Sequence, residues 1–286
     1  GSEGLLGIIT EITVKLTKKP QVAKLIMAGF DSVRDCANAV AEIIKKGIIP
    51  AGLEMMDEFA IQASEEFARP GYPIESKALL LCELDGTEES VLPDVDIVVS
   101  LLSKASSVRV SESEEERLLL WKGRKSAFPA VGRISPDYYC MDGTIPRGKL
   151  AEVLKEIGRL SKKYNLPVAN AFHAGDGNLH PLIMYDANEK NSLEKTEKFG
   201  ADILKYCVKV GGVLTGEHGV GVEKRELMCE MFNNNDIQQQ IKIKKALDAS
   251  SLLNPGKVYP ILRKCAEEGR VHVHRGKTKF PDIPRF

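Results

Sequence analysis

A chain of 286 residues has room for one large domain or two small ones, at roughly 100–200 residues each. Hydrophobic residues make up 43% and charged residues 28%, and 40 basic residues balance 40 acidic ones. That neutrality argues against a nucleic-acid groove or a polybasic membrane patch. No apolar run reaches the roughly 18 residues of a membrane span, and the N-terminus lacks the order of a signal peptide. Six cysteines lie at positions 36, 82, 140, 207, 229 and 265 with no C-x-x-C spacing. Most sit in apolar or helical stretches, so reduced thiols and a cytoplasmic setting are expected, with a disulfide set as the less favoured alternative.

The opening GSEGLLGIITEITVKLTKKP is Gly-rich and then alternates from Ile8 to Leu16, which predicts a strand. Lys18-Lys19-Pro20 reads as a boundary. VAKLIMAGF predicts a strand, and DSVRDCANAVAEIIKKG a helix with Asp31 or Ser32 as N-cap and Gly47 as C-cap. IPAGLEMMDE and SKALLLCELDG follow as strands. DVDIVVSLLSKA and SEEERLLLWKGRKSAF are helical, the second with acid early and base late. From Pro136 the order is strand (DYYCMDGTIP), helix (KLAEVLKEIGRLSKKYN), strand (PVANAFHAG), strand (LHPLIMYD) and helix (SLEKTEKFGADILKYCVKVGG). This is a split βαβ, ferredoxin-like unit, and residues 20–110 repeat it more weakly. The fold class expected is α+β: an antiparallel sheet with helices on one face, in two ferredoxin-like subdomains. Residues 261–286 read as a basic tail.

Four segments carry chemistry. In AFHAGDGNLHPLIMYD, His173 ends one strand and His180 begins the next, so a hairpin brings two imidazoles to one edge. Two imidazoles start a divalent metal site; a plain hairpin with polar residues at its mouth is about equally supported. In GGVLTGEHGVGVEKR, Glu217 and His218 stand between Gly216 and Gly219. Glu217 could complete a two-His, one-carboxylate ligand set, leaving His218 to act as a base. A loop in which Glu217 pairs with Lys224 or Arg225 is the simpler alternative. In LLLWKGRKSAF, Arg124 offers a planar fork suited to a carboxylate, though surface arginines are common. LLNPGKVYP contains the turn signal Asn254-Pro255-Gly256.

Together HAGDGNLHP (173–181), GGVLTGEHGVGVEKR (211–225) and LNPGKV (253–258) resemble the distinctive strings of the FAD-linked oxidase C-terminal domain family, within the vanillyl-alcohol-oxidase-like flavoproteins. The segment at 120–147 resembles the glycolate oxidase branch of that family. The resemblance runs from Gly1 to Pro260. It implies a cap sheet over the flavin's reactive face, with His173, His180 and Glu217 as ligands of a divalent metal such as zinc. It further implies His218 as the base for the substrate hydroxyl, Arg124 as the holder of the substrate carboxylate and Asn254 near the flavin ring. Phe128 and Leu182 stand where relatives acting on a dicarboxylate carry polar residues, which implies a small or apolar substrate side chain.

The same resemblance assigns residues 1–19 to the end of an FAD-binding domain, with about 200 residues before it in full-length relatives, and residues 20–260 to the substrate-binding cap. Gly1-Ser2 then reads as native sequence. The function expected is the cap of an FAD-dependent 2-hydroxy-acid dehydrogenase, oxidising glycolate or D-lactate and inactive without the flavin half. The rival is a non-catalytic metal- and substrate-binding module acting with a separate flavin subunit. A flavin-free metallohydrolase is disfavoured by the lack of H-E-x-x-H, and an assembly domain is a further alternative. Partners expected are a small 2-hydroxy acid, the FAD-binding domain and other oxidase subunits that could hold the protein at a membrane surface.

Overall fold

A computed structural model describes residues 1–260. The basic tail at 261–286 and Cys265 lie outside the described residues. The chain divides into two units: Thr17–Gly212, and a second built from Gly1–Leu16 with the segment that starts at Val213.

In the larger unit, β1 (Val22–Phe30), α1 (Val33–Lys45), β2 (Gly52–Asp57), α2 (Glu58–Ala68), β3 (Ala78–Gly86), α3 (Glu88–Leu101) and β4 (Ser107–Val110) make the first half. The strands pair antiparallel in the order β4-β1-β3-β2, the ferredoxin-like arrangement. Ser32 caps α1 by accepting from the Asp35 N–H at 3.3 Å, as one of the two predicted caps.

Helices α4 (Glu114–Lys125) and α5 (Ala127–Ile134) lead to the second half. It contains β5 (Asp137–Cys140), β6 (Gly143–Thr144), α6 (Leu150–Tyr164), β7 (Val168–His173), β8 (Asn178–Leu179), β9 (Pro181–Tyr185) and α7 (Ser192–Lys209). Here β7 pairs with β9 and β9 with β5, so the first half's order recurs in mirror sequence. The halves join where β2 pairs antiparallel with β7, with Glu54 opposite His173. Asp57 braces this seam: its carboxylate accepts from the Asn170 N–H at 2.9 Å and side-chain amide at 2.7 Å, and caps α2 through the Ala60 N–H. Burial pushes the Asp57 carboxyl up to about 6, against the pull of those donors.

The α+β class and the paired ferredoxin-like halves stand as expected. The helices, however, cover both faces of the sheet. Helices α1, α3, α6 and α7 line one side, and α2, α4 and α5 the other. The cause is visible in β3, where Ala78 to Cys82 are all fully buried: consecutive apolar residues point alternately to opposite faces, so both must be covered. Leu79 and Leu81 join the core under α2 and α5 with Met56 and Ala171, while Leu80 and Cys82 face the other layer.

The predicted opening strand does not form. Residues 8–16 have no regular structure, and Ile8, Ile12 and Leu16 are 74–87% exposed. Alternation supplies a face, but a strand also needs a neighbour to take its backbone hydrogen bonds. In the second unit, α8 (Met228–Met231) and α9 (Asn234–Leu247) follow the Gly-rich loop. Lys244 of α9 is buried and donates to the Leu5 carbonyl at 2.7 Å, the Leu253 carbonyl at 2.6 Å and the Asp248 carboxylate. The first residues are thereby tied to α9 and the Asn254 turn. Cys36, Cys82, Cys140 and Cys207 are reduced thiols, as expected. Burial pushes the Cys82 and Cys207 thiols up to about 12. Among the described residues no helix is long and apolar enough to cross a membrane.

Candidate active site

His173 is the last residue of β7, and the chain returns through Ala174–Gly177 to β8. Two contacts close this turn: the Gly177 N–H donates to the His173 carbonyl at 3.1 Å, and the Ile145 N–H to the Gly177 carbonyl at 2.9 Å. Gly177 has φ +73°, and a Cβ there would fall 2.2 Å from the Ile145 carbonyl oxygen, so only glycine fits. His180 then sits between β8 and β9, 3% exposed. The two imidazole centroids are 5.1 Å apart with planes at 86°.

That spacing tests whether the pair suits a metal. A histidine nitrogen lies about 2.0–2.1 Å from bound zinc and the ring centre roughly 1.1 Å beyond, so two rings on one tetrahedral ion stand about 5.2 Å apart. The hairpin therefore fits the donor chemistry of a divalent ion.

Arg124 reaches the same place from the last turn of α4. It is buried, with Nε donating to Glu54 Oε2 at 3.0 Å and Nη2 lying 2.8 Å from the same oxygen. Nη2 also donates to the Ala171 carbonyl at 3.2 Å. The other Glu54 oxygen, Oε1, lies 2.7 Å from His173 Nδ1. Gly123 lets α4 come this close, since a Cβ there would lie 2.5 Å from Pro70. Phe128 stands edge-on to His180 at 6.4 Å between centroids. Leu182 is fully buried in the core beneath.

Thus His173, His180 and Arg124, which are far apart in sequence, converge. Glu54 joins them without a sequence motif to announce it. Its signal is faint: an acid inside the otherwise apolar run Leu53–Met56, 7% exposed in the fold. Cys140 is a further neighbour that the motifs do not reveal, with its Sγ within 4.8 Å of a His180 ring nitrogen.

In the second unit, Glu217 and His218 are half-exposed neighbours, with Oε1 and Nε2 3.7 Å apart. Their loop is held by the N-terminal segment. The Glu3 carboxylate accepts from the Val220 and Gly221 N–H groups, both at 2.8 Å. Gly219 has φ +86°, and a Cβ there would lie 2.7 Å from the Glu3 carboxyl carbon. Lys224 donates to Thr215 at 3.2 Å, and Arg225 donates to the Gly256 carbonyl at 2.6 Å and pairs with Glu226. Asn254 takes a positive φ of 42°, and its side-chain amide donates to the Glu3 carbonyl at 2.5 Å.

A two-histidine hairpin backed by a buried carboxylate and arginine thus stands on paired ferredoxin-like halves. Residues 19–258 match the family of FAD linked oxidases, C-terminal domain, and the chain belongs to that family.

Among individual proteins, it is 55% identical to glycolate oxidase subunit GlcD of Escherichia coli K12, over all of this chain and 58% of that one. It is 38% identical to GlcD of Bacillus subtilis, over 91% of this chain and 56% of that one. Identity to the mitochondrial cytochrome-type D-lactate dehydrogenase of Arabidopsis thaliana is 32%, over 91% and 46%. The chain thus spans about half the length of these relatives, from 46% to 58%. Among solved structures, p-cresol methylhydroxylase with substrate bound aligns with a TM-score of 0.67 at 15% identity, over 86% of this chain and 54% of that one. The isoeugenol complex of 4-ethylphenol oxidase from Gulosibacter chungangensis aligns at 0.64 and 16%, over 87% and 56%. These two likenesses establish the shared fold.

Proposed function

We propose that this chain is the substrate-binding cap of an FAD-dependent 2-hydroxy-acid dehydrogenase that oxidises glycolate or D-lactate to the 2-oxo acid. The observation that carries the reading is the pair of imidazoles 5.1 Å apart, with Arg124 beside them through a shared carboxylate. The names of the relatives supply the substrate class. Residues 20–260 form the cap and residues 1–19 continue from a flavin-binding domain.

Oxidation of a 2-hydroxy acid removes a proton from oxygen and a hydride from carbon. FAD, when bound, accepts the hydride. His173, His180 and Glu217 would hold a divalent ion, for which zinc suits the N, N, O donors. That ion, when bound, would lower the pKa of a hydroxyl on it. Arg124 binds the substrate carboxylate through its Nη1 side, since Nε and Nη2 face Glu54 and Ala171. This fixes the direction in which the substrate's C–H bond points. His218 takes the hydroxyl proton on a ring nitrogen, a task suited to imidazole near neutral pH. Phe128 would wall the pocket against larger polar side chains, and Asn254 would stand by the flavin ring when it is bound. Other oxidase subunits would receive the electrons, in the cytoplasm or at a membrane surface.

His218→Ala in the whole protein tests this. Loss of a general base costs about 10²–10⁴-fold in turnover, so kcat should fall by that order while KM changes little. An unchanged kcat eliminates the base role, and a purified protein without bound divalent metal by elemental analysis eliminates the ligand set.

A further inference from the structure

The proposed roles of His173 and Arg124 leave a question of geometry. An imidazole binds a metal through one nitrogen, and the proton must sit on the other. A guanidinium binds a carboxylate well only when its plane is held. In this chain both requirements meet at one side chain that the family strings do not include.

Glu54 lies on β2 directly opposite His173 across the seam with β7. Directly opposed residues project to the same face with their Cβ atoms about 4.5–5.5 Å apart, so the backbone register itself delivers the carboxylate to the ring. Oε1 lies 2.7 Å from His173 Nδ1, and Oε2 takes Arg124 Nε and Nη2 at 3.0 and 2.8 Å. A carboxylate paired with guanidinium only accepts hydrogen bonds, so Nδ1 must carry the ring proton. In the neutral ring the lone pair is then on Nε2.

We propose that Glu54 is the positioning residue of this site: its carboxylate locks His173 in the Nδ1–H tautomer, with Nε2 presented to the metal, and at the same time sets the plane of Arg124. This rests on the metal and carboxylate roles proposed for those two residues. Carboxylate–histidine–metal relays raise ligand basicity and fix ring orientation. Here the relay extends to the arginine, so metal affinity and carboxylate binding depend on one side chain.

Gln at position 54 separates positioning from mere filling of space. With its oxygen turned to the two Arg124 donors, its NH₂ faces the ring, Nδ1 must accept, and the proton moves to Nε2. Zn²⁺ binding by the full chain, measured calorimetrically, should then weaken about 10–100-fold in Glu54→Gln, the usual cost of losing such a partner. Independently of any variant, ¹⁵N NMR of the histidine-labelled, metal-free chain should show the His173 proton on Nδ1, with the resonance assigned by its loss in His173→Ala. A wild-type His173 protonated on Nε2 overturns the proposal even if Glu54→Gln fails to fold. So does a folded Glu54→Gln variant that binds Zn²⁺ as tightly as wild type. If His173→Ala and His180→Ala leave Zn²⁺ binding unchanged, it is the metal reading that fails, and the tautomer result still decides what Glu54 does to the ring.

Discussion

Arg124 and Glu54 face each other with side chains only 8% and 9% exposed, a pair withdrawn from water. Taking such charges out of water costs several kcal/mol each, and mutual attraction returns that only when geometry is good and the remaining donors are satisfied. On the side of the guanidinium that faces Glu54 both conditions hold, since Oε1 takes His173 and Nη2 reaches the Ala171 carbonyl. Removing one partner strands the other. Glu54→Leu should therefore lower unfolding free energy by about 3–5 kcal/mol in urea, whereas Glu54→Leu combined with Arg124→Met should recover most of the loss. A double variant whose loss equals the sum of the Glu54→Leu and Arg124→Met losses would show that the pair is not coupled. The same residues show where a sequence stops being readable. His173 and His180 stand out because glycines and polar residues crowd the short link between apolar strands. Glu54 is separated from Arg124 by 70 positions and from His173 by 119, and no local pattern joins them. Only the strand register does.

At the scale of elements, periodicity reveals most strands and helices, because each half repeats the same amphipathic order. It fails where formation depends on something other than a residue's own pattern. Helix α2 escapes it because Asp57 ends β2 and caps the helix in one step, with no turn residue between them. The opening alternation from Ile8 to Leu16 promises a strand, but no partner ladder fixes it. The β7–β8 turn is the opposite case, a piece of backbone that the sequence announces through Gly175 and Gly177. Its geometry carries a prediction. Gly177→Ala places a methyl 2.2 Å from the Ile145 carbonyl at a positive φ, so the turn must open. Strain of this kind costs about 1–3 kcal/mol, and opening the turn moves His180 away from His173. Gly177→Ala should thus lower both stability and Zn²⁺ affinity. Gly148→Ala, whose added Cβ meets nothing within 4 Å, should change neither. Retained Zn²⁺ affinity in Gly177→Ala would disconnect the turn from the site.

For the molecule as a whole, the family strings are the most informative part of the sequence, because they lie in different elements of both units and are not required by the sheet alone. In the cap reading they point to a chemistry that needs a group besides these side chains. Two-electron oxidation of an alcohol needs an acceptor for the hydride, and imidazole, carboxylate and guanidinium groups offer none. The chain covers 58% of the E. coli relative it matches from end to end. The cap reading then predicts that the purified chain lacks a flavin absorbance band and does not oxidise glycolate or D-lactate with an artificial electron acceptor. Joining it as one polypeptide to the unmatched portion of that relative should restore both properties, and restored turnover should vanish again with His218→Ala while the flavin band remains. A yellow, active chain on its own would mean that the flavin is held without the unmatched portion of the relative. A fusion that binds flavin but leaves both acids untouched, with its histidine hairpin loaded with metal, would remove the 2-hydroxy-acid assignment and keep only the binding module.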